Sequence, residues 1–248
     1  MLYKVYTHEQ RQNQDIATLR GNISKLGAQV ELLERQGKVN LSFADDSYNY
    51  LCIGNSISKH PITYSWWNEN GMAASTLDKD YYHRVVDYLK QQHEKVNSEV
   101  VNLSVWEVQS HDRAETLMFF KSYLSDKLDL VSIQLGENAS NIDTFKQDYI
   151  ELINYIKKNC PKAKILVIGD FWEYKDRDKQ KKEAALACNV VFVSLEGIKD
   201  NQDYFAGMGS VVFDKDGKKH TINHEGVSRH PGDKGMEAIA GKVVKKLE

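Results

Sequence analysis

Five short apolar segments, separated by stretches with helical apolar spacing, constrain the fold of this chain most strongly. Strands that alternate with helices pair in parallel through right-handed crossovers. The sequence therefore predicts an α/β domain with a five-stranded parallel sheet, completed by a hairpin over 210–223 and a closing helix over 233–247. The predicted strands are 48–53, 99–103, 128–135, 163–168 and 189–195, and the predicted helices between them are 78–92, 114–125, 142–159 and 178–188.

The composition is that of an ordinary globular protein and excludes several classes of function. Of 248 residues, 41% are hydrophobic and 27% are charged, and the net charge of −2 gives no electrostatic basis for binding nucleic acid. Three cysteines argue against a disulfide framework, and no Cys/His cluster has zinc spacing. We expect one domain over 46–248, an N-terminal helical extension and linker over 1–45, and no metal or other cofactor.

The N-terminal region bears on localisation and on self-association. No segment has the length of a membrane span, and the first residues are too short and too polar for a signal peptide. Because apolar and aromatic residues lead directly into a predicted helix, we expect an extracytoplasmic ectodomain with a membrane anchor upstream; a complete cytoplasmic protein is the alternative. Apolar residues alternately three and four apart indicate a parallel homodimeric coiled coil, or else one amphipathic helix packed on its own domain. These residues are Ile16, Leu19, Ile23, Leu26, Val30 and Leu33.

Three polar motifs stand where the predicted elements end or begin. Gly54-Asn55-Ser56 follows the first strand, Gly136-Glu137-Asn138 follows the third, and His230-Pro231 precedes the closing helix. The carboxyl ends of parallel strands form the ligand-binding edge of such a sheet. A serine, a histidine base and oxyanion donors are the parts of a serine acyl-transfer site.

This set resembles the SGNH (GDSL-like) hydrolase family from about Asp46 to Glu248. The first block of that family reads Gly-Asp-Ser, the second contributes a glycine that Gly71 matches, and the third reads Gly-x-Asn. The fifth block, Asp-x-x-His-Pro, matches only in part, because Val227 stands three residues before the histidine. The resemblance implies a three-layer α/β/α sandwich of flavodoxin-like topology, preceded here by the N-terminal helix.

The resemblance also implies a role for each block. Ser56 would be the nucleophile and His230 the general base, with oxyanion donors from the Ser56 N–H, Gly71 and Asn138. Serine is also a good helix N-cap and glycine a common turn residue, so neither residue is diagnostic by itself.

The aspartate that orients the histidine in the family is missing. A backbone carbonyl near Val227 or Ser228 could accept the histidine Nδ1 proton and form a dyad. Glu225 and Asp233 are the alternative partners, and a catalytically impaired homologue remains open.

Three tryptophans are candidates for binding the substrate. Trp66, Trp67 and Trp172 could line the cleft and stack on sugar rings, although core packing is the alternative for each. We therefore expect an esterase that removes O-acyl groups, O-acetyl in particular, from a carbohydrate through an acyl-serine. The alternatives are a carbohydrate O-acetyltransferase with the same site, a lipid or thioester substrate, and a binding or scaffold protein with an inactive hydrolase fold.

Overall fold

The computed structural model describes residues 43–108 and 113–248, and the predicted N-terminal helix and heptad segment lie outside them. Five strands form one parallel sheet, as the sequence predicts, and their order is β2-β1-β3-β4-β5. The strands are β1 (Tyr48–Gly54), β2 (Val96–Asn102), β3 (Leu130–Gln134), β4 (Lys164–Ile168) and β5 (Val191–Val193).

Helices cover both faces of the sheet, which gives the predicted three layers. Four helices pack on one face of the sheet, called the first face below, and two helices pack on the other, called the second face. Alternation along β1 shows how one strand serves both: Leu51 and Ile53 point to the first face, whereas Tyr50 and Cys52 point to the second. The helices in chain order are α1 (Tyr81–Gln92), α2 (Ser104–Val108), α3 (Arg113–Phe120), α4 (Phe145–Asn159), α5 (Arg177–Ala187), α6 (Glu225–Ser228) and α7 (Asp233–Val244); α2 to α5 cover the first face, and α1 and α7 the second.

The strand order places a topological switch point beside β1. Its last residue, Gly54, is level with Asn102 of β2 on one side and Gln134 of β3 on the other. The chain leaves β1 toward β2 and later crosses to β3, so the loops after β1 and β3 diverge. Ligand sites in open α/β sheets form in the crevice at such a point.

A small antiparallel ribbon and a third apolar cluster stand beside the sheet. The ribbon pairs β6 (Val211–Phe213) with β7 (Lys219–Thr221) and turns where the Asp214–Gly217 segment predicts it, with Gly217 at φ 77°. The Phe213 N–H donates to the Ser75 carbonyl at 2.8 Å, which ties the ribbon to the loop after β1. The third cluster consists of Trp66, Met72, Ala73, Val212, Ile222 and Val227.

The helix boundaries differ from the predicted ones where caps and tight turns intervene. The helix expected from residue 78 starts with a 3₁₀ turn, and α1 begins at Tyr81 because buried Asp80 caps it by accepting the His83 N–H at 2.7 Å. The short helices α2 and α6 were not predicted. Among helices within 43–108 and 113–248, none combines the length and the apolar character that a membrane crossing requires.

Candidate active site

The turn after β1 presents Ser56 at the carboxyl edge of the sheet. Gly54 leaves room for the Ser58 side chain in this turn, because a Cβ there would lie 1.8 Å from the Ser58 Oγ and 2.5 Å from its Cβ. Asn55 is fully buried, and its Oδ1 accepts the Ile57 N–H at 3.0 Å, so the turn is held from within. Ser56 itself is half-buried, with its hydroxyl toward the His230 ring.

His230 reaches Ser56 from 174 residues further along the chain. The Ser56 Oγ lies 2.9 Å from the His230 Nε2, and the His230 Nδ1 lies 2.7 Å from the Gly226 carbonyl oxygen. A carbonyl can only accept a hydrogen bond, so Nδ1 carries the proton and Nε2 is left as the acceptor for the serine hydroxyl. This is the tautomer that a general base requires.

The surroundings keep His230 uncharged. The pKa of His230 is lowered to about 4, chiefly by burial and to a smaller extent by the charges of His60 and His224, whereas the hydrogen bond to the Gly226 carbonyl opposes the shift. The imidazole is therefore neutral at neutral pH and can take a proton.

No carboxylate in the described part of the chain orients this histidine. Asp233 binds elsewhere: its Oδ1 accepts the Ser75 N–H at 2.8 Å and its Oδ2 accepts the Ser75 hydroxyl at 2.6 Å. The Glu225 side chain is exposed. The carbonyl that accepts from Nδ1 belongs to Gly226, one residue before the position considered from the sequence.

Gly71 does not provide the oxyanion donor expected from the sequence. Its N–H donates to the buried Asp80 carboxylate at 3.1 Å, so it is already committed inside the protein. The same carboxylate caps α1, so one buried acceptor holds both the Gly71 N–H and the start of the helix. This expectation is therefore wrong.

Ala73 offers an alternative N–H in the same loop. Its neighbours are committed, since the Met72 N–H donates to the Ser56 carbonyl at 2.8 Å and the Ala74 N–H to the Gly71 carbonyl at 3.2 Å. The Ala73 N–H has no acceptor among the described residues, although Ala73 is only 3% exposed. Its backbone is left-handed, at φ 76°, which is unfavourable for a residue with a Cβ. This unpaired N–H therefore belongs to a strained, buried loop residue whose neighbour Met72 contacts the Ser56 backbone.

Glu107 is a central residue of the site that the sequence did not reveal. It lies on α2, is 1% exposed, and accepts hydrogen bonds from the Asn55 side chain at 2.9 Å, from the Gly136 N–H and from the Asn138 side chain. Burial raises the pKa of Glu107, and these three donors oppose the rise. The only signal in the sequence is a carboxylate inside an apolar stretch.

The Gly-x-Asn motif is held by a second buried network. Gly136 adopts φ 133°, a conformation that glycine tolerates, and the Glu137 side chain pairs with the Arg177 guanidinium at 3.1 Å. The Glu137 carboxylate also accepts the Phe171 and Trp172 N–H groups, which ties the loop after β4 to the motif.

The three tryptophans have different environments. The Trp172 indole lies edge-on to the His230 ring, with centroids 4.8 Å apart, and its Nε1 donates to the Arg229 carbonyl at 3.1 Å. Trp66 is fully buried in the third cluster, so the expectation that it lines the cleft is wrong. Trp67 is half-buried and stacks on His220 at 4.5 Å. Within the described residues, no group of three acidic, histidine or cysteine side chains could hold a metal ion.

Comparison with known proteins agrees with this architecture. No protein-family model and no curated protein sequence matches the chain. Solved structures do match: a GDSL-like lipase from Bacteroides ovatus has a TM-score of 0.52 at 14% identity, over 81% of this chain and 98% of that one.

Two carbohydrate esterases match over part of their length. An active-site mutant of a family two carbohydrate esterase from Clostridium thermocellum has a TM-score of 0.50 at 14% identity, over 81% of this chain. A two-domain esterase active on acetylated mannans has a TM-score of 0.51 at 13% identity, over 90% of this chain. The match spans only 63% and 53% of these two esterases. The five-stranded parallel sheet and its covering helices thus have the SGNH-type fold of GDSL-like lipases and carbohydrate esterases.

Proposed function

We propose that this protein is a serine esterase that removes O-acyl groups, O-acetyl in particular, from a carbohydrate. The observation that carries the proposal is the chain of contacts from the Ser56 Oγ to the His230 Nε2, and from the His230 Nδ1 to the Gly226 carbonyl. An unactivated serine is a poor nucleophile, and a neutral imidazole at hydrogen-bond distance is the activation it needs.

The reaction proceeds in two halves. The His230 Nε2 takes the Ser56 proton while Oγ attacks the acyl carbonyl carbon, and the carbonyl oxygen becomes an oxyanion. Collapse of this intermediate releases the sugar alcohol, which receives the proton from Nε2. Water then attacks the acyl-serine with His230 again as the base, and releases the carboxylic acid and free Ser56. The Gly226 carbonyl keeps the ring oriented throughout.

The oxyanion is stabilised by three N–H donors. The Ser56 N–H has no acceptor among the described residues, and the Asn138 amide uses one of its two hydrogens on Glu107, which leaves the other for the substrate. The Ala73 N–H takes the role expected of Gly71. Loss of one such donor typically lowers kcat by about 10²–10³.

A carbohydrate substrate is supported by Trp172 and by the known relatives in fold. The half-buried indole lies against the His230 ring, and this position supports a role for Trp172 in stacking on an apolar sugar face. Two of the matched structures are described as a carbohydrate esterase and as an esterase active on acetylated mannans.

Labelling and kinetics together test the proposal. A fluorophosphonate probe should label the wild type at Ser56 and leave Ser56→Ala unlabelled, and this variant should lose aryl-acetate and acetyl-sugar hydrolysis by orders of magnitude. Ser125→Ala is the matched control, because Ser125 precedes β3 at the opposite edge of the sheet and should keep full activity. An added acceptor alcohol separates hydrolysis from acyl transfer. A folded wild type that neither labels nor hydrolyses any ester would identify a binding protein instead.

A further inference from the structure

We propose that Glu107 is a positioning residue of this site, whose carboxylate aims the Asn138 amide at the oxyanion. The inference rests on the proposed function. Glu107 touches no substrate atom in this role, since it acts through the amide that it holds.

The geometry makes Glu107 the junction of the site. Its two oxygens receive three N–H donors, from Asn55 after β1 and from Gly136 and Asn138 after β3. Glu107 itself follows β2, so one carboxylate links the carboxyl ends of the three strands around the switch point. All three donors belong to residues of the two catalytic motifs.

Asn138 needs this restraint. The residue is exposed, and a surface asparagine can rotate its amide and exchange the positions of oxygen and nitrogen. A carboxylate accepts hydrogen bonds and cannot donate, so it admits only the orientation in which Nδ2 faces Glu107 and the second N–H is free. The preorganised donor costs no reorganisation when charge develops on the substrate.

The charge of Glu107 has no cation in direct contact with it. The side chain is 1% exposed, and no lysine or arginine in the described part of the chain forms an ion pair with it. A buried carboxylate without such a partner is retained only where hydrogen bonds compensate it. Here the compensating donors are the motif N–H groups, and the charge of Lys181 adds a smaller stabilisation of the carboxylate.

The helix that carries Glu107 is anchored by a different residue. Arg113 donates from Nε to the Trp106 carbonyl at 3.0 Å and from Nη2 to the Glu107 carbonyl at 3.2 Å, and its other nitrogen pairs with Asp148. These contacts use the backbone of α2, not the carboxylate. Asp148→Asn therefore weakens the anchoring of α2 but leaves the Glu107 carboxylate, which accepts from Asn138, unchanged. This variant serves as the matched control.

The test is a steady-state comparison of Glu107→Gln with Asp148→Asn, using an acetyl ester that the wild type hydrolyses. In the glutamine variant the remaining oxygen can still accept from Asn55 and Gly136, which share one carboxylate oxygen in the wild type. The new NH2 group then faces the Asn138 Nδ2, so the Asn138 amide must turn its oxygen toward it. We expect kcat to fall about 10²-fold or more with KM changed less than about threefold, because the donor acts on the transition state. Asp148→Asn should lower the melting temperature and keep kcat within about threefold.

A double-mutant cycle with Asn138→Ala separates positioning from general loosening. If Glu107 acts through Asn138, the double variant loses little more than the worse single variant, because both changes remove one donor. Additive losses, or a folded Glu107→Gln with wild-type kcat, would overturn the proposal. Should Glu107→Gln fail to fold, Glu107→Asp provides the test, because it keeps a carboxylate acceptor set back by one methylene. An unchanged kcat of Glu107→Asp would also overturn the proposal. A wild type without Ser56-dependent hydrolysis would refute the proposed function, whereas an active wild type beside an unaffected Glu107→Gln would refute only the role of Glu107.

Discussion

The protonation of His230 makes a quantitative prediction about acid pH. Because the pKa of His230 is lowered to about 4, about 90% of the imidazole is neutral at pH 5. A histidine at its ordinary pKa of about 6.5 would be only about 3% neutral there. Protonation removes the base, so kcat/KM falls as pH drops through this pKa. We expect kcat/KM to stay near its plateau down to about pH 5, rather than to decline below about pH 6.5.

Trp172→Ala is the perturbation that tests the cause. The indole packs edge-on against the His230 ring, 4.8 Å between centroids, and its removal admits water to the imidazole. Desolvation is the largest cause of the low pKa, so hydration should raise it by about one unit or more, toward the ordinary value. Each unit by which the pKa of His230 rises shifts the acid limb, the pH range in which kcat/KM falls with acidity, upward by one pH unit. At pH values well below that pKa, kcat/KM is then about tenfold lower.

The assay is kcat/KM for an aryl acetate between about pH 4 and 8, with the rate of Ser56→Ala subtracted at each pH. Trp172→Phe is the matched variant: it keeps an aromatic ring against His230 and loses the indole N–H bond to the Arg229 carbonyl. Its acid limb should stay near that of the wild type. A wild-type limb near pH 6.5, or an unmoved limb in Trp172→Ala, would refute the assignment of the low pKa to burial of the ring.

Three further predictions concern stability and association. Ala73→Gly should keep kcat within about threefold, because the donor is a backbone N–H, and a kcat loss near 10² would contradict this prediction. The free energy of unfolding should change by less than about 1 kcal/mol, since relief of the left-handed strain offsets the lost methyl burial. Asp233→Asn removes one charged acceptor of Ser75 and should lower the free energy of unfolding by about 1 kcal/mol in denaturant unfolding, without shifting the acid side of the pH profile of kcat/KM. A shift of that profile would show that Asp233 influences the pKa of His230. Placing aspartate at Ile23 and Leu26 should turn a concentration-dependent dimer into a monomer with unchanged activity in analytical ultracentrifugation, and a wild type that is monomeric throughout would count against the coiled coil.

The sheet was predictable because its signal is repeated along the chain. Each apolar segment is bounded by turns, and alternation with helices specifies parallel pairing, so the five strands follow from pattern alone. The short helices α2 and α6 have five and four residues, fewer than two turns, and helical periodicity has no room to appear. Tertiary contacts set their positions.

The motifs of the site were visible in the sequence, whereas the groups that support them were not. Ser56, Asn138 and His230 stand in short motifs at element ends. Glu107 contributes only a carboxylate whose partners lie about 30 to 50 residues away, and no local spacing marks such a residue. The left-handed backbone of Ala73 has no sequence signal either, because alanine rarely adopts it.

The third apolar cluster has a consequence for how this protein loses activity. Ser56 follows β1 of the central sheet, but Val227, three residues before His230, packs in the small cluster with Val212 of the ribbon. Two anchors of unequal size have unequal free energies of local opening, and the smaller opens first. Partial release of the ribbon would displace the Gly226 carbonyl that orients the His230 ring, while α7 and the five strands stay in place. Inactivation by heat or denaturant should then precede the loss of the sheet. Residual activity requires both the sheet core and the third cluster to be intact, whereas circular dichroism detects mainly the sheet and its helices.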